Sequence, residues 1–477
     1  MHFTSIHIRK LQHAGLLLLA AAIVLAVIKP GAAAAQRTPR VKIDFVQDSL
    51  PNGLHVIYSI DRSTPVVAVE MMYNVGSKHE QTGKTGFAHL FEHMMFKGSK
   101  NVADGQHWSL LEKAGGRAGA DINGTTSWDR TNYFEQVPSN QLDLALWLEA
   151  DRMGTLTQTL TKEKLDNQRE VVKNERRQSF DNQPYGSWLE KALAYVYPNN
   201  HPYQHSVIGS MTDLSNASVD DVKNFFRTYY APNNAVLVIA GDIDLAEAKA
   251  LVRKRFAGIP RGPKVPALAT MALPPVIGKE NREVVQDANA SAPAVYVAYR
   301  MPNAKSKQGP AVDLLTDMLA GGAASPLYKT IVREKQIAVA VQGFNIGLVD
   351  GGDMMVFIAL GKASTNSDSL EQALITELDK ASSLVSQQLL DRSRAGSRYQ
   401  FVNGLQYTGG FGGRADQLAE GFTYYRDPNH VNTVLSAYDA VTVPQVKALI
   451  AERLVPANRV RLVYVPAKKP AASGGDK

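Results

Sequence analysis

The chain contains no cysteine among its 477 residues. That absence excludes disulfide staples, thiolate metal sites and a lipidated cysteine, and it leaves any metal to imidazoles and carboxylates. A strong charge of either sign is missing too: 52 Lys and Arg against 45 Asp and Glu give a formal charge of +7, with no dense basic run interleaved with aromatics. Nucleic acid is therefore not an expected partner. Long apolar runs are confined to one place, the 15 residues Ala14 to Ile28, which follow Arg9 and Lys10 and precede Pro30 and the string Ala32 to Ala35. This run is shorter than the roughly 20 residues of a spanning helix. Its layout is that of an export signal over residues 1–35, cleaved before Gln36. A periplasmic location follows as the expectation, with no stable membrane span after leader removal; an uncleaved anchor is the lesser alternative.

What is present is an ordinary globular balance, 44% hydrophobic and 20% charged, over a length sufficient for two or more cores. The stretch AGIPRGPKVPALATMALPPVIG is too rich in Pro for helix or central strand. It divides the chain into an expected N-terminal domain over 41–260, a linker over 261–280 and a C-terminal domain over 281–466, with a polar tail, AKKPAASGGDK, over 467–477. The two sides resemble each other. A shift of 224 positions lays SVDDVKNFFRTYYAPNNAVLVIA, from Ser218, on TVPQVKALIAERLVPANRVRLVY, from Thr442, with six identities and no gap. The same shift lays FAHLFEHMMFKG on AVDLLTDMLAGG, Ala311 to Gly322. Each half mixes strand-like runs such as AVLVIAGDI and MMVFIALG with amphipathic helices, so the predicted class is α+β, a two-layer domain present twice.

Within GFAHLFEHMMFKG, an apolar helical segment, stand His89, Glu92 and His93. Burying such groups without compensation costs about 2–7 kcal/mol even for a neutral polar group. A bound metal supplies the compensation. Positions i and i+4 lie on one helical face, so the two imidazoles can reach a single ion, and His-x-x-Glu-His is the inverted form of the zinc-peptidase helix. Under the shift of 224 these three positions become Asp313, Thr316 and Asp317, whereas Leu90, Met94 and Gly98 meet Leu314, Met318 and Gly322. The scaffold repeats and the polar triad does not. Tandem Met94 and Met95 read as core filling. His79, His107, His201 and His205 sit in polar or turn-like contexts and are expected at the surface.

A further ligand must come from elsewhere, and KEKLDNQREVVKNERRQSF offers several carboxylates. At 100° per residue Gln168, Val171 and Val172 fall within about 60° of Glu175, while Glu163, Glu170, Lys173 and Arg177 fall on the far side. Phase thus favours Glu175 as the inward carboxylate; a pairing with a neighbouring base is the competing role. Its counterpart in the second half is Tyr399. The Gly-rich TGGFGGRAD lacks the Lys-Ser/Thr ending of a phosphate loop and reads as a turn.

GFAHLFEHMMFKGS, DNQREVVKNERRQ and YYAPNNAVLVIAGDI resemble the insulinase/pitrilysin family of zinc metallopeptidases, in the half-size bacterial branch akin to mitochondrial processing peptidase. The likeness spans nearly the whole chain after the leader. It implies two α+β domains, each an antiparallel sheet packed by helices, and one zinc ion per chain held by His89, His93 and Glu175, with Glu92 as general base. It also implies a pair of chains, homodimer or heterodimer, enclosing a peptide substrate. GGRAGADINGTTSWDRTNYFEQVP resembles the region presenting an edge strand to the substrate backbone, with Asn123 at its start. VREKQIAVAVQG resembles a substrate-holding segment: Arg333 is present, but Ala340 stands where a Tyr is expected. Gln168 occupies a place where many relatives have Glu. The activity implied is zinc-dependent endopeptidase action on unfolded peptides. The alternatives are the metal-bearing subunit of a heterodimeric peptidase and a non-catalytic scaffold of the same fold.

Overall fold

Runs of β-branched and apolar residues become strands because their side chains pack on a pleated, half-buried surface. The computed structural model describes residues 41–268 and 271–467. The leader over 1–35 and all but the first residue of the tail lie outside them. Among the described residues no helix is long and apolar enough to cross a membrane.

The first sheet contains β1 (Val46–Ser49), β2 (His55–Ile60), β3 (Val66–Tyr73), β4 (Ile122–Thr126), β5 (Thr131–Pro138) and β6 (Ala235–Gly241), in the order β1-β2-β6-β3-β5-β4. The second contains β7 (Asn281–Asp287), β8 (Ala294–Pro302), β9 (Ala338–Asn345), β10 (Gly352–Gly361) and β11 (Arg459–Pro466), in the order β7-β11-β8-β10-β9. Without β1 the two orders are the same, so the internal repeat is a repeat of topology. Neighbouring strands run antiparallel except for β2 with β6 and β7 with β11, which are parallel. The antiparallel sheet implied by resemblance is thus mixed at one pair in each half, because the last strand returns through a helix and inserts beside the first. Residues 261–268 and 271–280, in the Pro-rich stretch, hold neither helix nor strand.

The helices that matter for the site are α1 (Phe87–Met94), α2 (Leu142–Thr159), α3 (Lys162–Arg176), α4 (Trp188–Val196), α5 (Gly309–Ala320), α6 (Gln387–Gly404) and α7 (Arg414–Tyr425). On one face of β3, Val67, Val69, Met71 and Tyr73 are buried in a core shared with Leu90, Phe91 and Met94 of α1 and Leu146 and Met153 of α2. The opposite face, carrying Glu70, is covered by α7 from the second half. There Asn132 Nδ2 donates to Glu70 Oε1 at 2.7 Å and to Asp416 Oδ1 at 3.4 Å, and the His55 ring stacks on Phe422 with centroids 3.8 Å apart. The relation is reciprocal. Helix α4 of the first half packs Ala192, Leu193 and Val196 against Tyr296, Ala298 and Leu462 of the second sheet, with Trp188 stacked on Tyr296 at 5.2 Å. Each two-layer unit therefore gains a third layer from the other half, and the chain from Ile43 onward forms one compact unit.

Because Leu193 is fully buried in this exchanged layer, Leu193→Ala is expected to destabilise the whole chain by about 2–5 kcal/mol. Tyr399→Ala, at a site 71% exposed, should change stability by less than about 0.5 kcal/mol. Chemical denaturation measures both.

Candidate metal centre

Helix α1 divides its residues by phase. Phe87, Ala88, Leu90, Phe91 and Met94 are buried, and His89, Glu92 and His93 lie on the remaining arc, partly open to solvent. The helix begins at Gly86, whose φ of 86° is left-handed. No residue of its own caps it; the carboxylate of Glu80 does so instead, accepting from the backbone N–H of Gly86 at 2.8 Å and of Ala88 at 2.7 Å.

Glu175, on the last turn of α3, reaches the same place. Its Oε2 lies 3.7 Å from His89 Nε2 and 3.4 Å from His93 Nε2. Two ligands bound to one zinc at 2.0–2.1 Å and a tetrahedral angle are about 3.3 Å apart, so the spacing of Glu175 Oε2 from each imidazole nitrogen is close to that of ligands sharing an ion. Donor atoms of His89, Glu92 and His93 also lie within 4.8 Å of one another. The two carboxylates are told apart by their partners: Thr126, at the end of β4, donates its hydroxyl to Glu92 Oε2 at 2.7 Å, whereas Glu175 faces both imidazoles. The geometry brings His89, His93 and Glu175 together, with Glu92 beside them.

The electrostatics follow from burial and mutual charge. Burial, with the charge of His93, lowers His89 to about 4 against the opposing pull of Glu175. Burial also works to lower His93, but it is outweighed by the hydrogen bond to Glu175, the charges of Glu92 and Glu175 and a hydrogen bond with Gln168, so His93 is raised. The hydrogen bond with His93 lowers Glu175, and burial raises Glu92 against the Thr126 hydroxyl and the His93 charge. Gln168 is thus a neutral contact to His93, and His89 Nδ1 is buried without a partner. The ring of His89 is held from its ligand side alone.

The buried face of α3 is turned away from Val171. Leu165, Gln168 and Val172 are buried, but Val171 is 41% exposed. The buried arc is centred about 50° toward Val172, which leaves Glu175 on its rim and Val171 outside it. Glu170 is on the solvent side, paired with Lys173 at 2.9 Å. The surface expectation for the other histidines also fails: His79, His107 and His201 are buried, and His107 packs 3.3 Å from Glu135 in a cluster with Arg152 and Glu149. A single sequence carries no period that marks an isolated core histidine.

Asn123 lies on the edge strand β4, where its side chain serves its own loop: Nδ2 donates to Gly119 O at 3.1 Å and Oδ1 accepts from Gly124 N at 2.9 Å. Arg333 sits in the second half on a short π-helical turn, Lys329–Glu334, exposed, with its guanidinium 5.8 Å from the Tyr328 ring centre. Ala340 lies on β9 opposite Leu360. The structure brings His89, Glu92, His93 and Glu175 together and leaves Asn123 and Arg333 in local contacts of their own. Thr126 and Glu80 were missed by sequence reasoning, because Thr126 reaches Glu92 from another strand, 34 positions along the chain, and Glu80 caps α1 from outside the helix, where no helical period extends.

A duplicated α+β frame with a His-x-x-Glu-His helix and a second-helix carboxylate in one half only is the make-up of a metallopeptidase-type chain. The family model for Insulinase (Peptidase family M16) matches residues 55–210, and that for the Peptidase M16 inactive domain matches residues 216–397. The chain is 31% identical to the zinc protease PqqE of Helicobacter pylori over 383 residues, 78% of this chain and 83% of that one. It is 27% identical to the probable zinc protease PqqL of Escherichia coli over 246 residues, 50% of this chain and 26% of that one. In structure it resembles a protease from Helicobacter pylori with a TM-score of 0.81 at 26% identity, covering 89% of this chain and all of that one. It also shares the fold of the periplasmic protease PqqL of Escherichia coli, TM-score 0.71 at 19% identity, over 91% of this chain and 50% of that one. The chain belongs to peptidase family M16.

A metal-free His93 raised above its ordinary value near 6.5 must lose its proton before it can ligate. Zinc affinity is therefore expected to fall as pH is lowered through neutrality toward 6, and binding should release a proton, measured by calorimetry in buffers of different ionisation heat. Glu175→Ala is expected to lose zinc at a free concentration that saturates the parent, and Glu170→Ala to retain it, by metal analysis after dialysis.

Proposed function

We propose that this chain is a periplasmic zinc endopeptidase that cleaves unfolded peptides. The observation that carries the proposal is the approach of one carboxylate oxygen, Glu175 Oε2, to two imidazole nitrogens of one helical turn at 3.7 and 3.4 Å. When bound there, zinc supplies the Lewis acidity that makes water a competent nucleophile near neutral pH. Glu92 takes the proton from that water. The Thr126 hydroxyl occupies Oε2 of Glu92, leaving Oε1 as the accepting atom, and the raised pKa of the buried carboxyl brings its basicity toward the working pH. The same carboxyl then returns the proton to the leaving amine. Strand β4 is at the sheet edge, and an extended peptide adding to that edge would be held by main-chain hydrogen bonds with little regard for sequence. Asn123 lies on that strand. The periplasmic assignment draws on the leader sequence, the lack of cysteine and the relative PqqL, a periplasmic protease.

Ala340, in the place of the family's Tyr, favours a second reading in which a related chain supplies the substrate-holding groups that Arg333 alone does not complete. Copurification with a chain lacking His-x-x-Glu-His supports it; full activity of a pure single-species preparation removes it.

Glu92→Gln is expected to retain zinc while hydrolysis of a fluorogenic peptide falls by about 10²–10⁴. Undiminished turnover by a zinc-loaded Glu92→Gln chain would show that another group moves the proton.

A further inference from the structure

Both helices that contribute to the centre offer their side chains near a change of backbone structure. His89 is the third residue of α1, and Glu175 lies just before α3 passes into a π-helical turn, Arg177–Asp181. A helix start leaves backbone N–H groups unpaired and a change of winding re-registers the hydrogen-bond ladder, yet a metal site must be held to about 0.5 Å.

One short turn, residues 205–210, grips both ends. Toward α1, His205 Nε2 lies 2.9 Å from Oε2 of Glu80, the carboxylate that caps the helix, and 3.1 Å from Ser77 O. The side chain of Glu80 is fully buried, so its charge depends on the imidazole and on the two backbone N–H groups of the helix. Ser210 N donates to Thr85 Oγ1 at 3.0 Å. Gly209, at φ +74°, lies so close to Gly86 that a Cβ there would stand 2.4 Å from its N and Cα. Toward α3, Arg176, the neighbour of Glu175, donates from Nη1 to Gly209 O at 2.7 Å. Its fork also binds Glu190 at 2.6 and 3.0 Å, and Ser206 Oγ donates to that same carboxylate at 2.7 Å.

We propose that the turn 205–210 is a clamp that sets the separation of α1 and α3, and that His205, Glu80 and Arg176 are positioning residues for the metal centre. This rests on zinc being held by His89, His93 and Glu175. The helices also share the first core, to which α1 contributes Leu90 and α3 contributes Val172. The clamp acts on the backbone N–H groups of α1 through Glu80 and on the residue next to Glu175 through the Arg176 guanidinium. Removing it lets the ends drift apart, which lowers metal affinity without removing a ligand.

The test is zinc affinity by competition with a chromophoric chelator, the visible spectrum of the cobalt-substituted chain, and the melting temperature of the metal-free chain. His205→Ala is expected to weaken zinc binding about 10–100-fold and to alter the cobalt spectrum. His205→Gln, whose amide can still donate to Glu80, should restore most of the affinity. Arg176→Lys, which keeps the charge but not the fork, should weaken it as well. Gly209→Ala is the steric counterpart, and His205→Ala stands in for it if it does not fold. Zinc affinity within twofold of the parent in His205→Ala and Arg176→Lys overturns the clamp, as does a lower melting temperature of the metal-free chain with unchanged affinity and spectrum. A parent chain that binds zinc no better than His93→Ala removes the metal reading itself and the clamp with it; a parent that binds zinc but cleaves no peptide removes only the peptidase reading.

Discussion

Two imidazoles and a carboxylate on separate helices must meet within less than 4 Å, and the rest of the structure serves that meeting. An isolated carboxylate beside neutral rings in a half-buried setting is costly. The surrounding groups share its charge: His93 is raised and Glu175 is lowered by their contact. The apolar face of α1, built from Leu90, Phe91 and Met94, fixes the helix against the first sheet, and the remaining arc is left free to present nitrogen. The arc cannot rotate without exposing those three side chains, so packing energy is converted into ligand direction.

The second half shows what the scaffold does without the chemistry. Asp313, Thr316 and Asp317 stand in α5 where the triad stands in α1. Their side chains are engaged by neighbours within the same half: Asp313 accepts from Asn345 and Tyr438, Thr316 donates to Asn345 Oδ1, and Asp317 accepts from Ser393 of α6. This half still contributes to the first, because α7 covers the sheet face opposite α1 and its Asp416 meets Asn132. The half that lacks the triad is therefore part of the wall that holds the half carrying it.

Much of this was legible along the chain because it repeats with a local period. The triad declared itself as polar residues on an apolar helix, and the duplication as one register that served two segments. Helical phase pointed to Glu175 but misplaced Val171, since 100° per residue gives directions relative to one chosen residue and not the direction of the core. His107 looked like a surface residue because its polar neighbours in sequence are not its neighbours in space. Glu135, Glu149 and Arg152, from β5 and α2, surround it.

The sequence by itself determined the class of fold, the repeat and the polar triad His89, Glu92 and His93 on an apolar helix, all of which are encoded in spacings of a few residues or in a match of one stretch with another. Only the tertiary structure decided which carboxylate is held by Thr126 and which faces the imidazoles. It alone decided that each sheet is closed by a helix from the opposite half, and that Glu80 and the turn at 205–210 hold the helix ends. Apart from the Glu80 cap, which reaches 6 and 8 positions along the chain, those are contacts between residues tens to hundreds of positions apart, and no local period records them, because they are set by how the two layers settle against each other once both exist.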